Sequence, residues 1–362
     1  MGIKFKFFEA GDGDSILIST KKGTNLLIDA GFGKNYRYVI DKEVVKLKKL
    51  DLVVLTHMDK DHICGLIEMV KNHKESRKKI KELWFNSMRS VRARQNKNVN
   101  IGYGNAKLFD KLLEKHKIPV KDDIFLKDKF DKKKYIINNE IELTLLSPLE
   151  IDLENLEREE PKNQKAEFCN NIEAKNISYK RTVKNNKLLS DIDIDSTIFG
   201  KDSELANMSS IAFILKYGNK QFLFLGDANI ETVNKSLNNL NYSKSNRLKV
   251  EFVKLSHHGS KNNINSDFLD IVETSKFISL TEGKSKNNNH PNKETFALIL
   301  NHKNRAKNIE FIFNYKDLVR KKISKKEEER YSLENNGLYS FRAYNKSILN
   351  YERGEDYDRE DA

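Results

Sequence analysis

The chain has 362 residues, of which 33% are charged and 38% are hydrophobic, and its formal net charge is +13. This length allows one large domain or two ordinary ones, with enough apolar residues for a packed core. The composition excludes a disulfide-rich scaffold, since there are two cysteines, and the basic balance favours a polyanionic partner.

The sequence predicts a cytoplasmic protein that does not enter a membrane. The first residues form no signal-peptide core, and no apolar run approaches the length that spans a bilayer. In a reducing compartment the two cysteines, Cys64 and Cys169, are expected to be free, with Cys64 packed in a helix as a small apolar side chain.

The first part of the chain is predicted as a β-meander with acidic, glycine-rich corners. Its strands cover residues 3–9, 16–19 and 25–29, and a helix follows at 36–47. Asp12 and Asp14 are assigned to the first turn, because aspartate and glycine are ordinary turn residues; a role as metal ligands is the alternative.

The densest cluster of polar functional groups follows the next strand. Leu52–Leu55 is an apolar run that predicts a buried strand, and residues 63–81 predict a helix. Between them lie four potential metal ligands within six residues: His57, Asp59, Asp61 and His62. At the carboxyl end of a buried strand, a short loop can arrange such side chains around an ion.

The middle of the chain has a basic segment and a charged insertion. A strand at 82–86 precedes the basic segment, where Arg92 and Arg94 are candidate contacts to a nucleic-acid backbone; a solvated basic loop is the alternative. A helix at 105–116 and a strand at 141–146 follow. Residues 150–205 are rich in Asn, Lys, Asp and Glu, which indicates an insertion without its own core.

Strands and helices alternate again in the second half. The predicted strands cover 211–217, 221–225, 250–255, 276–280, 309–313 and 339–343; the predicted helices cover 230–240, 267–272 (capped by Ser266) and 293–302. Strands followed by strand–helix alternation, twice over, predict an α+β fold, a four-layer αββα sandwich. We expect one domain over residues 1–350 and an acidic tail over 351–362.

Three apolar strands end in ligand-type residues. His57 to His62 follow the first strand, Asp227 follows the second, and His257 and His258 follow the third. Because strand ends that converge on one edge form a cleft, this pattern predicts a metal site.

Six motifs in order resemble the metallo-β-lactamase fold, specifically the soluble hydrolase domain of the DNA-internalisation competence protein ComEC and its relatives. They are FKFFEAGDGDSILI, LLIDAG, THMDKDHICG, NMSSIAFILKYGNKQFLFLGDA, KLSHHGS and NHP. Six motifs in the same order form a much more specific signal than any one of them alone.

The resemblance implies a dinuclear site. One ion would be held by His57 and Asp59, and the second by Asp61, His62 and His257, with Asp227 between the two. Asp59 stands where the commoner signature has His, and Asn207 stands near the position of another usual His. These oxygen-rich ligands favour Mn²⁺, with Zn²⁺ next and Mg²⁺ possible.

Further residues have expected roles around the ions. Asp61 and His258 are assigned to catalysis, His258 facing the substrate phosphate or the leaving group. His290 is expected to contact phosphate or transfer a proton, a structural loop histidine being the alternative. Ser260 and Asn207 are expected to bind substrate. Asp29 is expected to orient a ligand or to cap a turn.

The leading hypothesis is a metal-dependent phosphodiesterase that cuts nucleic acid, DNA more than RNA. A hydrolase of a small substrate, such as a cyclic nucleotide, a lactone or an amide, is the alternative, because this fold hosts many chemistries. A third hypothesis is a non-catalytic binding partner or toxin component. Protein partners encoded elsewhere are also expected, and the oligomeric state is left open.

Overall fold

The computed structural model of the protein describes residues 2–87, 104–127, 130–158, 169, 188–284 and 289–352. Arg92 and Arg94 lie outside these residues, as do half of the predicted insertion and residues 353–362. Among the helices that are described, none has the length and apolar character needed to cross a membrane.

In the part of the chain that the structure describes, the first sheet has seven strands. Its N-terminal strands are β1 (Gly2–Phe7), β2 (Ile16–Thr20), β3 (Asn25–Ile28), β4 (Leu52–Val54), β5 (Leu83–Trp84) and β6 (Val120–Lys121). The C-terminal strand β17 (Ile348–Glu352) pairs with β1, which gives the order β17-β1-β2-β3-β4-β5-β6. The pairs from β3 to β6 are parallel, and β4 is buried along its whole length, as strands inside parallel sheets usually are.

Among the described residues, the second sheet has eight strands in the order β16-β15-β14-β12-β10-β9-β8-β7. These are β7 (Lys134–Ile137), β8 (Ile141–Ser147), β9 (Ala212–Tyr217), β10 (Lys220–Phe224), β12 (Val253–Lys254), β14 (Lys276–Ser279), β15 (Asn308–Phe313) and β16 (Ser340–Asn345). β10, β12, β14, β15 and β16 are parallel neighbours. A small separate sheet pairs β11 (Leu248–Lys249) with β13 (Val272–Glu273).

Helices flank the two sheets. The longer ones are α1 (Lys60–Asn72), α2 (Gly104–Lys115), α3 (Glu150–Arg158), α4 (Ile230–Asn239), α5 (Ser266–Ile271), α6 (Lys293–Asn301), α7 (Lys316–Lys322) and α8 (Lys325–Glu334). Shorter helical segments cover Gly33–Asn35, Tyr36–Ile40, Asp41–Val44, Lys74–Arg77 and Leu205–Met208.

Apolar side chains pack at three interfaces within this four-layer arrangement of two sheets and two layers of helices. The central interface lies between the sheets and contains Phe5, Phe213, Phe224 and Phe252. A second interface joins α1 and α2 to the first sheet, and a third joins α4, α5 and α6 to the second. The predicted α+β, αββα sandwich is therefore confirmed.

The predicted elements differ from the structure mainly at their ends. The helix expected over residues 63–81 begins earlier and ends at Asn72, because His73 leaves the helical conformation (φ −111°, ψ 77°). Asn265, and not Ser266, caps α5: its side chain accepts a hydrogen bond from the N–H of Phe268. Strand β17 continues to Glu352, two residues into the range predicted as a tail.

Cys64 and Cys169 form a disulfide, with 5.6 Å between their Cα atoms. The prediction of two free thiols is therefore wrong. With a sequence separation of 105, no local pattern indicated that Cys169 packs beside α1. Since disulfides are uncommon in the cytosol, the pairing does not support the cytoplasmic location, which stays a prediction.

Candidate functional site

The site lies where the carboxyl ends of strands from both sheets meet. β4 leads into His57, β10 leads into Asp227, and β12 leads into His257 and His258. The N–H of Ile211 donates a hydrogen bond to the carbonyl of Thr56 over 2.9 Å, which ties the two sheets together here. The predicted convergence of these strand ends is thus present.

Four histidines surround one carboxylate oxygen, Oδ2 of Asp227. The Nε2 atoms lie at 3.6 Å for His62, 3.7 Å for His258, 3.9 Å for His57 and 3.9 Å for His257. Asp227 and three of the histidines are buried, while His257 is partly exposed. A buried carboxylate that faces four imidazoles is a ligand arrangement suited to two ions that share it.

His57 and Asp59 lie on one side of Asp227. Nε2 of His57 is 3.6 Å from Oδ2 of Asp59. Asp59 occupies the N-cap position of α1, but its side chain makes no capping hydrogen bond. Its carboxylate therefore remains directed to the site edge, where 40% of the side chain is exposed.

Asp61, His62 and His258 form a group on the other side. Oδ2 of Asp61 lies 3.2 Å from Nε2 of His258 and 3.7 Å from Nε2 of His62. Their ligand atoms all lie within 4.8 Å of one another, a spacing that one ion can bridge. The structure thus joins His258, and not the expected His257, to Asp61 and His62.

The backbone at His257 and His258 explains that difference. Both residues have positive φ, 45° and 55°, which non-glycine residues rarely adopt. The strand alternation that would send the two side chains to opposite faces ends at β12, so both rings reach Asp227. Such strain persists only where the surrounding structure holds it, and functional sites are common places for it.

Three of the histidines are oriented by contacts to Nδ1, the ring nitrogen that faces away from Asp227. Oδ2 of Asp29 is 2.8 Å from Nδ1 of His62, and Oδ2 of Asp202 is 3.2 Å from Nδ1 of His257. Nδ1 of His258 lies 2.8 Å from the carbonyl oxygen of Leu280. In each case the contact on Nδ1 leaves Nε2 facing Asp227, which is how histidines that bind metals are commonly held.

Three buried charged residues of the site were missed or misassigned from the sequence. Asp14, predicted as a turn residue, lies 3.2 Å from Nδ1 of His258. Its loop comes so close to α1 that a Cβ on Gly13 would overlap the carbonyl of Asp61. Lys254 pairs with Asp14, and Asp202 comes from the charged range predicted as an insertion. Only the Asp-Gly-rich turn was a usable signal for any of them.

The electrostatics of the site favour positive charge beside Asp227. Burial alone would lower the pKa of His258, but Asp227 and Asp14 raise it to about 10. Burial disfavours protonation of His62, and the nearby Asp227 carboxylate favours it. The carboxylate outweighs burial, so the pKa of His62 lies well above its usual range. Burial would raise the pKa of Asp227, yet the histidines hold it well below its usual value.

Several polar atoms in the site have no hydrogen-bond partner among the described residues. They include Nε2 of His57, Nε2 of His62 and Oδ1 of Asp227, all buried. A buried polar atom without a partner is costly, and two of these atoms point toward the shared carboxylate. Nitrogen and carboxylate donors with that demand fit divalent cations.

The remaining predicted residues lie around the cluster. The ring of His290 is 4.7 Å from that of His257, and burial together with nearby His257 lowers the pKa of His290 to about 3. Asn207 is buried and donates a 2.8 Å hydrogen bond to Asp202. The hydroxyl of Ser260 accepts a hydrogen bond from the N–H of Asn262, a contact within the turn.

Solved structures with similar folds are distant in sequence. The metallo-β-lactamase fold protein YhfI from Bacillus subtilis is 10% identical, with 97% of this chain and 99% of that chain covered and a TM-score of 0.40. Igni18, a metallo hydrolase from Ignicoccus hospitalis, is 11% identical (97% and 99% covered, TM-score 0.41). Zn²⁺-bound PqqB from Methylobacterium extorquens is 11% identical (97% and 100% covered, TM-score 0.40).

These structures carry no argument about substrate, since every TM-score is below 0.5. No curated protein matches the chain. The model of the metallo-beta-lactamase superfamily matches residues 9–273, a span that holds every residue of the Asp227 cluster. The chain is therefore a member of the metallo-β-lactamase superfamily.

Proposed function

We propose that this protein is a metal-dependent phosphodiesterase that hydrolyses nucleic acid, with DNA as the favoured polymer. The observation that supports it most is the arrangement around Asp227: four Nε2 atoms lie within 3.9 Å of Oδ2, with Asp59 and Asp61 on either side. The six motifs that resemble those of the ComEC-type hydrolase domain support the same reaction class.

The proposed ligands form two sets that share Asp227. His57, Asp59 and His257 would hold one ion, and Asp61, His62 and His258 would hold the other. His257 then supplies the nitrogen that the first set lacks, since Asn207 stands near the position of the usual histidine. Two divalent ions would supply activation of water and stabilisation of charge that develops on a phosphodiester.

The ligand chemistry favours Mn²⁺, then Zn²⁺, with Mg²⁺ also accommodated. Each proposed set contains carboxylates, and oxygen ligands shift preference toward harder cations. Both sets keep imidazole nitrogens as well, which Zn²⁺ and Mn²⁺ accept more readily than Mg²⁺ does.

A polyanion suits the surface around the cluster. The site edge is open at Asp59 and Asp61, whose side chains are 40% and 26% exposed, while the Asp227 side chain is 3% exposed. A phosphodiester within a long polymer can approach such an edge. The net charge of +13 supports a nucleic acid, because phosphate neutralisation drives non-specific affinity. Arg92 and Arg94 stay predicted contacts.

The proposal is tested with purified protein, metal-stripped and reloaded. The substrates are single- and double-stranded DNA, RNA and bis-para-nitrophenyl phosphate, each with Mn²⁺, Zn²⁺ or Mg²⁺. We expect cleavage of DNA that needs a divalent ion and binding that weakens steeply with salt. Cleavage of the small ester without any polymer would instead favour the small-substrate hydrolase. Absence of any bound ion would contradict both and favour the non-catalytic hypothesis.

A further inference from the structure

Lys254 is a buried cation directly behind the ligand cluster. It is the last residue of β12 and is 1% exposed. Its Nζ donates a 3.1 Å hydrogen bond to the carbonyl of Gly226, the residue before Asp227, and forms an ion pair with Asp14. A lysine is almost never buried to this degree unless its charge is paired, so this position needs a specific explanation.

The same cation faces the shared carboxylate. Nζ of Lys254 lies 3.9 Å from Oδ1 of Asp227, the oxygen that has no hydrogen-bond partner among the described residues. The other oxygen, Oδ2, is the one that all four histidines approach. The two oxygens of Asp227 therefore have different surroundings: a cation on one side and the ligand cluster on the other.

Asp14 connects this cation to the opposite side of the site. One of its oxygens contacts Lys254, and the other lies 3.2 Å from Nδ1 of His258. The Lys254–Asp14 pair thus touches the shared carboxylate and one of the imidazoles at once. Asp227 is also held by Ser210, whose hydroxyl accepts a hydrogen bond from the Asp227 N–H over 3.0 Å, so the pair adds to an existing support.

We propose that Lys254 and Asp14 act as a pair of positioning residues that fix Asp227 and His258 relative to each other and present Oδ2 of Asp227 to the ions. The inference rests on the proposed metal centre and is independent of which phosphodiester is cut. The pair does not itself touch substrate.

A test has to separate two effects on ion binding: that of the net charge of the site and that of the position of Asp227. Removing Lys254 alone has two opposite effects on a bound cation. The loss of a positive charge strengthens cation binding, whereas the loss of the support of Asp227 weakens it. The double variant Asp14→Leu with Lys254→Met removes both contacts and leaves the net charge unchanged. Replacing a buried ion pair by apolar residues of similar size is often tolerated, so this variant is expected to fold.

The experiment measures the affinity of the metal-free protein for Mn²⁺ by calorimetric titration, together with thermal unfolding. We expect the double variant to bind Mn²⁺ about 10- to 100-fold more weakly while it remains folded, as for other residues that orient ligands. The matched control is Lys220→Met with Glu251→Leu, a 3.2 Å ion pair at the far end of β10. Its Mn²⁺ affinity should equal that of the wild type.

A folded double variant with wild-type Mn²⁺ affinity would overturn the inference. If it does not fold, the polar double variant Asp14→Asn with Lys254→Gln takes its place, with the same expected weakening and the same overturning result. A wild-type protein that binds no ion would refute the proposed metal centre itself. A wild type that binds ions beside a double variant that binds them equally well would refute only the positioning role.

Discussion

Nδ1 of His62 lies 2.8 Å from Oδ2 of Asp29, and both side chains are fully buried. Asp29 also accepts hydrogen bonds from Thr56: the N–H at 2.8 Å and the hydroxyl at 2.7 Å. The carboxylate therefore holds the loop after β4 and the imidazole that follows it. These contacts fit the expectation that Asp29 orients an imidazole, whereas its side chain bonds Thr56, 27 residues away, and not its own turn.

Asp29→Asn should weaken metal binding without unfolding the protein. An amide can keep one contact to Thr56 but no longer offers a charged acceptor to His62. We expect the Mn²⁺ affinity to fall about 10- to 100-fold, measured by calorimetric titration. Asp51→Asn is the matched control, because Asp51 accepts a backbone hydrogen bond from Asn25 at the other end of β3. Equal losses in both variants would show a general effect on stability instead.

His258→Ala should remove one of the two ions. His258 is 3.2 Å from Asp61 and is held by the Leu280 carbonyl, so its loss would leave the proposed ion with His62 as its one nitrogen ligand. Ion counts by plasma mass spectrometry should fall to about one per chain. His302→Ala, a buried histidine beside Asp270 and away from the cluster, should keep both. If His258→Ala still binds two ions per chain, the histidine that binds an ion together with Asp61 and His62 is His257, as the sequence analysis expected.

The individual roles of the seven cluster residues stay predictions, but the sequence was sufficient for the layers of the fold and for bringing all seven to one site, where the structure places them: His57, Asp59, Asp61, His62, Asp227, His257 and His258. It failed where the chain departs from regular periodicity. Consecutive positive φ values at His257 and His258 reversed the inference drawn from strand alternation. In the sequence, Lys254 is indistinguishable from an ordinary strand residue. Only the structure, where it is buried beside Asp14, indicates a different role.

Contacts between residues that lie far apart in the chain could not be predicted from the sequence either. Strand β17 pairs with β1 although some 340 residues separate them, and no local pattern indicates that contact. Helices α7 and α8 were not predicted, because their charged sequences have few apolar positions. Strand β7 (KYII) was not predicted either, since it is short and adjoins a run of lysines. Cys169 and Asp202 lie in the range predicted as an insertion, where charged composition gave no indication of packed neighbours.

Loss of the disulfide should lower stability. It closes a loop of 105 residues, and the chain-entropy model gives about 4–5 kcal/mol for a loop of that size. We expect Cys169→Ser to lower the free energy of unfolding in urea by up to that amount. Thiol titration of the denatured wild type without reductant should find no free thiol. Two titratable thiols would contradict the pairing.

Lys322 should give a pH-dependent contribution to stability. Burial lowers its pKa from 10.5 to about 8, with Glu294 opposing and Lys293 adding to the effect. Between these two values the unfolded chain holds a proton that the folded chain has released, so this group makes stability rise with pH from about 8 to 10.5.

The Lys322→Met variant isolates that contribution. The difference in unfolding free energy, wild type minus variant, should increase over this pH window. Lys316→Met, at an exposed position of the same helix, should show no such trend. A difference for Lys322→Met that is flat or falls with pH would contradict the lowered pKa.

The most direct test of the two-ion phosphodiesterase is cleavage of supercoiled plasmid by wild type and by Asp227→Asn, both shown to be folded and both supplied with Mn²⁺. Asp227 is the one residue that all four histidines face, so its charge is needed by both proposed ions. The wild type should nick and linearise the plasmid, should lose this activity with a chelator, and should regain it with Mn²⁺; Asp227→Asn should not cleave above the protein-free rate. Cleavage by Asp227→Asn at the wild-type rate, or by wild type in excess chelator, would contradict the account.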